Sequence, residues 1–349
     1  MPSTQPASHG DGGRPRLTVM RDVAKLAGVS HQTVSRVLNN HPNVRQETRL
    51  RVLDAMESLN YRRNLAARTL VTRQSHTLGI IGFETTLFGP ASLLYAIESA
   101  ARDAGYMVSI ASVRDLERRH VVEAVDRLTQ HAVDGVIAIA PKLAVTNALA
   151  QVPPGLRRVA VGGAGESDAA PAVGIDNAAG ARLATQHLLD LGHATVHHAA
   201  GPADWPEAHE RIEGWRSTLY AAGAVVPPVE PGWWDAESGY ERGRQLAADP
   251  RVTAIFCAND RIALGVLRAL HEAGRRVPED VSIVGFDDMP DAGYFLPPLT
   301  TVRQDFGELG RRALALLLEH MAGDSAAQPP HRILVMPHLV ARASSAPPP

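Results

Sequence analysis

A chain of 349 residues with 45% hydrophobic content is long enough to bury more than one core and too apolar to be disordered. No apolar run approaches the roughly 20 residues of a membrane helix, the N-terminus lacks the apolar core of a secretory leader, and a single cysteine, Cys257, excludes an internal disulfide or a cysteine metal cluster. The net charge of −2 conceals an uneven distribution, since residues 14–73 carry twelve Arg and Lys against four Asp and Glu. A cytoplasmic protein with a basic N-terminal module on an acidic body is expected.

Residues 1–16 are rich in Pro, Gly, Ser and Arg without periodicity, which predicts a flexible tail. The next stretch, RDVAKLAGVSHQTVSRVLNN over residues 21–40, places apolar residues at helical spacing on both sides of Gly28: Val23, Ala24 and Ala27, then Val34, Val37 and Leu38. Gly28 can end the first helix in the left-handed conformation, and Ser30 can cap the second. That leaves His31, Gln32, Thr33, Ser35, Arg36 and Asn39 on the outer face of the second helix. Such side chains hydrogen-bond base edges and phosphates, and a helix of this size fits the major groove of B-DNA. The plain alternative is a helical hairpin with a polar face. Residues 46–59 repeat apolar positions at helical spacing (Leu50, Val52, Leu53, Met56, Leu59), predicting a third helix that closes a small core and completes a domain over 17–62. Arg36, Arg45, Arg49 and Arg62 are candidates for phosphate contacts. The segment NLAARTLV over residues 64–71, within a linker spanning 63–75, is too short to hold a helix alone in water.

From Thr77 the pattern changes. Short apolar runs (LGIIGF, MVSIAS, GVIAIA, RRVAVG, TVHHAAG, TAIFCA, VSIVGF) alternate with helical stretches such as 90–104, 179–191 and 260–273. Runs buried on both faces and separated by helices predict an α/β core of doubly wound parallel sheets, and its length predicts two lobes with a cleft. The core is expected over 76–343, with lobe 1 at about 76–175 plus 305–334, lobe 2 at about 176–304 plus 335–343, and a tail at 344–349. Ligands in such sheets bind beyond the carboxyl ends of the strands.

The unusual residues gather at those ends, in AAGPADW (199–205), Ala258-Asn259-Asp260 and Gly285-Phe286-Asp287-Asp288. All four tryptophans, Trp205, Trp215, Trp233 and Trp234, fall in one short stretch of a chain that is 5% aromatic, which points away from core packing alone. A flat ring beside Arg, Asn and Asp suits a sugar, because the ring covers its C–H face while the polar groups take its hydroxyls. Asp260 or Asp287 can instead cap the helix or turn that follows. Cys257, in an apolar run, reads as a buried structural thiol, and His197-His198 reads as structural for want of a partner at metal-ligand spacing.

The string RDVAKLAGVSHQTVSRVLN resembles the opening of the lac-repressor (LacI/GalR) family of bacterial transcription regulators, and HLLDLGH, RIEGW, ANDRIALG, VSIVGFDD and PPLTTVRQDF extend the resemblance to about Ala343. It implies a helix-turn-helix reader, a hinge helix and a two-lobed core like a periplasmic binding protein. Asn64, Ala67 and Leu70 match the hinge motif, where a leucine from each of two subunits wedges into the minor groove at the operator centre. Arg211, Trp234, Asn259 and Asp287 fall where sugar-responsive members contact effector hydroxyls and ring. Phe306 falls on an effector-facing aromatic position, Leu87, Pro90 and Leu93 on an apolar wall, and Gln304 between the lobes. Three departures stand out. Val19 replaces the usual Thr before the first helix, with Thr18 one place earlier, so the cap is expected to shift. Gly162 replaces a sugar-contacting acid. Trp205 and Glu207 replace small hydroxyl residues, and Trp205 would offer a stacking surface to a second ring of a disaccharide or aryl glycoside. No leucine heptad closes the chain, so a homodimer on a pseudo-palindromic operator is expected. The expected function is a repressor of carbohydrate-utilisation genes released by a sugar, with a corepressed regulator as the alternative and no cofactor beyond the effector. A free sugar-binding protein fits poorly with the DNA-reading module. The sequence holds no phosphate loop with G-K-[ST], no G-x-S-x-G elbow and no G-x-G-x-x-G after the first strand, so an enzyme is not expected.

Overall fold

The computed structural model describes residues 18–39, 41–62, 74–83, 85–113, 117–139, 155–162, 171–323 and 332–349, and the chain divides into two compact units, 1–73 and 74–349. In the first unit, α1 (Met20–Ala27), α2 (His31–Leu38) and α3 (Gln46–Ser58) enclose Val23, Ala24, Ala27, Val34, Val37 and Val52. Gly28 ends α1 at φ 64° and ψ 37°, the left-handed region a side chain would disfavour. Ser30 Oγ accepts from Thr33 N at 3.1 Å and so starts α2. The cap of α1 is not shifted: Val19 holds the N-cap position and its N–H is taken by the Asp22 carboxylate at 3.0 Å, while the Thr18 hydroxyl donates to Leu59 O at 3.2 Å. Leu50 and Leu53 correct the expected core, being 52% and 46% exposed. Helical spacing alone does not choose a face: Val52 and Met56 of α3 and Leu59 at its C-cap turn inward as expected, joined by Ala55.

The second unit holds two sheets. The first has the order β10-β5-β4-β3-β1-β2, with β1 Thr77–Phe83, β2 Met107–Val113, β3 Gly135–Ile139, β4 Arg157–Val161, β5 Ala172–Ile175 and β10 Arg332–Val335, all parallel. The second has the order β11-β9-β8-β7-β6, with β6 His197–Ala199, β7 Ala254–Cys257, β8 Ser282–Asp287, β9 Thr300–Arg303 and β11 His338–Val340, and only β11 is antiparallel to its neighbour. Helices α4 (Phe88–Asp103), α5 (Arg118–Gln130) and α10 (Phe306–Ala322) accompany the first sheet; α6 (Asn177–Asp190), α7 (Pro206–Ala221), α8 (Ala236–Ala247) and α9 (Asp260–Glu272) accompany the second. Both faces of the central strands are buried, whereas the edge strand β2 leaves Met107 and Ile110 exposed. Leu78, Ile80, Ile137 and Ile139 pack with α4 and α10, whereas Ile81, Val136 and Ala138 pack on the other side with Leu128 of α5.

The chain passes between lobes three times, after β5, after β9 and after β10. Val335 belongs to β10 of the first sheet, one residue past the expected boundary. The C-terminus corrects a second expectation. Residues 344–346 are not a tail: Ser344 is fully buried, its O accepts from Ile283 N at 2.7 Å and its Oγ accepts from Thr300 N at 2.8 Å. Ala346 O accepts from Ser282 Oγ at 2.8 Å. Small hydroxyl and Ala side chains let this strand-like end lie against the sheet, a fit that composition does not reveal.

Candidate functional site

On α2 the side chains of His31, Gln32, Arg36 and Asn39 are exposed, and Thr33 and Ser35 are partly covered. Thr33 is drawn into the cap, since its hydroxyl lies 2.9 Å from Ser30 Oγ. Val34 and Val37 anchor the opposite face, so the polar row is held on a short rigid rod. Arg45 and Arg62 are exposed nearby in the chain, and Arg49 donates to His41 O at 3.2 Å. The hinge residues Asn64, Ala67 and Leu70 lie outside the described residues.

In the core, a cavity of about 770 Å³, including its solvent-open mouth, lies at the carboxyl ends of both sheets. All ten residues singled out by sequence, Leu87, Pro90, Leu93, Trp205, Arg211, Trp234, Asn259, Asp287, Gln304 and Phe306, line it. The first lobe supplies an apolar wall of Leu87, Pro90 and Leu93, with Phe306 set edge-on to Phe88 at 5.8 Å. Trp205 and Trp234 form the facing aromatic corner, their rings 5.5 Å apart and inclined at 74°. Trp234 lies against Gly201, where a Cβ would come within 2.5 Å of the indole. Neither buried indole N–H has an acceptor among the described residues.

Arg211 is buried and fixed on several sides. Its Nε donates to Asn177 Oδ1 at 3.0 Å, its Nη1 donates to Ala258 O and lies 3.7 Å from Asp287 Oδ1, and its guanidinium sits 3.8 Å over the Phe286 ring. Burial lowers its pKa while Asp287, Glu207 and Glu210 pull the other way. Asp287 has φ 107° and Asp288 φ 53°, a strained pair that Asp tolerates better than most residues. Arg303 and Arg342 clamp Asp288 at 2.5 and 2.6 Å, and Gln304 Nε2 donates to Asp287 Oδ1 at 2.5 Å. Burial pushes the Asp287 carboxyl up to about 6 against the opposing pull of Arg211.

The cap assignments differ from expectation. Asn259, not Asp260, caps α9 by accepting from Ile262 N at 2.7 Å, and its Nδ2 donates to Trp234 O at 3.2 Å. Asp260 instead ties three segments: Oδ1 accepts from Thr301 Oγ1 at 2.6 Å and Oδ2 from Met289 N at 2.7 Å. Trp215 corrects the reading of the tryptophan cluster. It is a fully buried core residue that donates to Val196 O at 2.8 Å, while Trp233 is 40% exposed and edge-on to Trp205. His198 is wedged between Trp215 and Phe256 and donates Nδ1 to Phe256 O at 2.9 Å, and burial pulls its pKa down to about 4. Burial raises the Cys257 thiol, leaving it unreactive. Among the described residues no group of three or more His, Cys, Asp or Glu is arranged to hold a metal ion, and no helix is long and apolar enough to cross a membrane.

Sequence reasoning missed Asn177 and Arg261, which also line the cavity. Arg261 follows directly on Asn259-Asp260 at a strand end, a position that was available as a signal. Asn177 follows β5, whose four residues AVGI are too short and too small to stand out.

A helix-turn-helix reader joined to a two-lobed core with a polar and aromatic cleft defines a ligand-responsive DNA-binding regulator. Comparison with known proteins agrees: residues 19–64 match the model for bacterial regulatory proteins of the lacI family, and residues 185–345 match the periplasmic binding protein-like domain. The lactose operon repressor of Escherichia coli is 36% identical over 313 residues, covering 87% of this chain and 85% of its own. The ribose operon repressor of Escherichia coli is 32% identical over 336 residues, 94% and 100% of the two chains. Among solved structures, the lac repressor dimer bound to operator and the anti-inducer ONPF superposes with a TM-score of 0.84 at 33% identity, covering 95% of this chain and all of that one. The chain belongs to the lacI family of bacterial regulatory proteins, and it is a transcriptional regulator.

Proposed function

We propose that the chain is a cytoplasmic repressor of carbohydrate-utilisation genes, acting as a homodimer on a pseudo-palindromic operator and released by a sugar bound between its lobes. The carrying observation is the cleft itself: immobilised Arg211, Asn177, Asp287 and Gln304 stand between an aromatic corner and an apolar wall. Its charges balance, Arg211 and Arg261 against Asp287 and Glu207, which suits an uncharged polyhydroxylated ring. The names of the lactose and ribose operon repressors support a sugar. Cofactor chemistry and catalysis have no part in this reading.

His31 and Gln32 open the reading helix and read bases, while Arg36, Arg45, Arg49 and Arg62 hold phosphates. Sugar binding changes the angle between the lobes and with it the spacing of the paired hinge segments, where Leu70 engages the minor groove. Only a sugar that binds the two states differently drives release. The test is binding of the purified protein to its own upstream DNA at one fixed salt concentration, across glucose, galactose, ribose, lactose and cellobiose. Release by one sugar is the expected result. Tighter DNA binding with a sugar would make the protein a corepressed regulator, and absence of specific DNA binding under every condition would overturn the reading.

A further inference from the structure

Asn177 stands at the first passage between the lobes, at the start of α6, and both ends of its buried carboxamide are engaged. Oδ1 accepts from Arg211 Nε at 3.0 Å, and Nδ2 donates to Ile175 O at 3.3 Å and to Glu210 Oε2 at 3.0 Å. Glu210 therefore decides which way the amide faces: a carboxylate accepts only, so the NH2 end turns to it and the oxygen turns to Arg211. The other Glu210 oxygen, Oε1, accepts from Arg332 Nη2 at 2.9 Å. Arg332 lies on β10 of the first sheet, whereas Glu210 lies on α7 of the second lobe, one residue before the pocket cation. The backbone runs alongside this chain of contacts, with Asp176 N donating to Val335 O at 3.1 Å.

We propose that Glu210 is the positioning residue for Arg211 and that, through Arg332, it makes the hold of the cavity on its effector depend on the angle between the lobes. The proposal rests on reading the cavity as the effector site. An isolated ion pair at 25% and 39% side-chain exposure contributes little to stability. Here, however, the carboxylate is shared with a fully engaged amide, and a turn of either lobe that moves Arg332 from Oε1 disturbs the same group that orients Asn177. Contacts coupled in this way respond non-additively to substitution.

The test uses the full chain. Without any sugar, amide hydrogen exchange is followed in peptides covering 174–182 and 332–340 for Glu210→Ala, Arg332→Met and Arg332→Lys. Faster exchange confined to those two segments in both Glu210→Ala and Arg332→Met, with Arg332→Lys matching the parent, is the expected pattern; unchanged exchange in either would overturn the proposal. Affinity for whichever of the five sugars above binds is then measured. Glu210→Ala should weaken it at least about fivefold, and adding Arg332→Met to Glu210→Ala should weaken it no further. Strictly additive losses would overturn the coupling. If none of the five sugars binds the parent while exchange responds as expected, the sugar reading fails and the Glu210 network stands.

Discussion

Asp260 is fully buried, and burial together with the nearby Asp287 pushes its carboxyl up to about 8. A folded-state value above the ordinary one near 3.8 means that the folded chain holds a proton the unfolded chain has released. Stability contributed by this group therefore declines as pH rises from about 4 through about 8. Asp260→Asn keeps both partners, because the amide oxygen can accept from Met289 N while Nδ2 donates to the Thr301 hydroxyl, which rotates to accept. The variant should melt progressively further above the parent as pH rises from about 5 to about 8; a gap that stays constant with pH would count against this account. Asp260→Leu leaves two donors unpaired and should fall below Asp260→Asn by about 2–4 kcal/mol at every pH, because neither replacement titrates. At the cavity, Trp205→Ala removes one half of the aromatic corner. Affinity for a disaccharide should drop about tenfold or more and for a monosaccharide by about twofold, as expected of lost stacking area. Titration calorimetry showing both unchanged would sink the second-ring role of Trp205.

Helices α8 and α9 pack closely, and glycines permit it. A Cβ on Gly265 would come 2.0 Å from Ala236 O and 2.5 Å from Tyr240 N, and one on Gly239 would come 2.2 Å from Ile262 O. Gly→Ala inside a helix ordinarily stabilises by about 1 kcal/mol, but here the backbones must separate. Gly265→Ala should cost about 3 kcal/mol, read as a lower melting point of the core. Removing the cap of α2 with Ser30→Ala should cost about 1 kcal/mol and weaken operator binding, read by exchange of the α2 amides. The same elements show what sequence reveals. The reader was legible because its signals are local: Gly28, Ser30 and the apolar spacing all act within one turn of chain. The long apolar strands were legible because burial on both faces leaves a continuous run. Strands β5, β9, β10 and β11 were not, since each has four residues or fewer and includes a glycine or polar residue that breaks the apolar run. With β5 unseen, Asn177 at its end was unseen too. Leu50, Leu53 and Trp215 failed for a related reason: hydrophobicity and spacing mark a residue for a core or a site without saying which surface it meets.

The whole chain carries a net charge of −2, yet the twelve cations of residues 14–73 face only four anions. Long-range attraction to DNA belongs to that segment, and the acidic remainder keeps the rest of the surface from binding it non-specifically. Each phosphate neutralised contributes a slope of about −0.9 in log affinity against log salt on duplex DNA. In a homodimer every residue acts twice on a palindrome, so removing one arginine removes two contacts. Arg36→Ala and Arg62→Ala should each flatten the slope by about 1.8, where a monomeric reader would change by about 0.9. His31→Ala and Gln32→Ala should instead leave the slope in place and narrow the gap between operator and random DNA, because base contacts specify while phosphate contacts position. Arg268→Ala, whose guanidinium on α9 is paired with Glu272 at 2.9 Å, serves as the control and should leave both unchanged. Affinities measured at four or more salt concentrations decide the matter. A change near 0.9 for Arg36→Ala would mean that one subunit reads the DNA at a time, and the palindromic mode of binding would have to be abandoned.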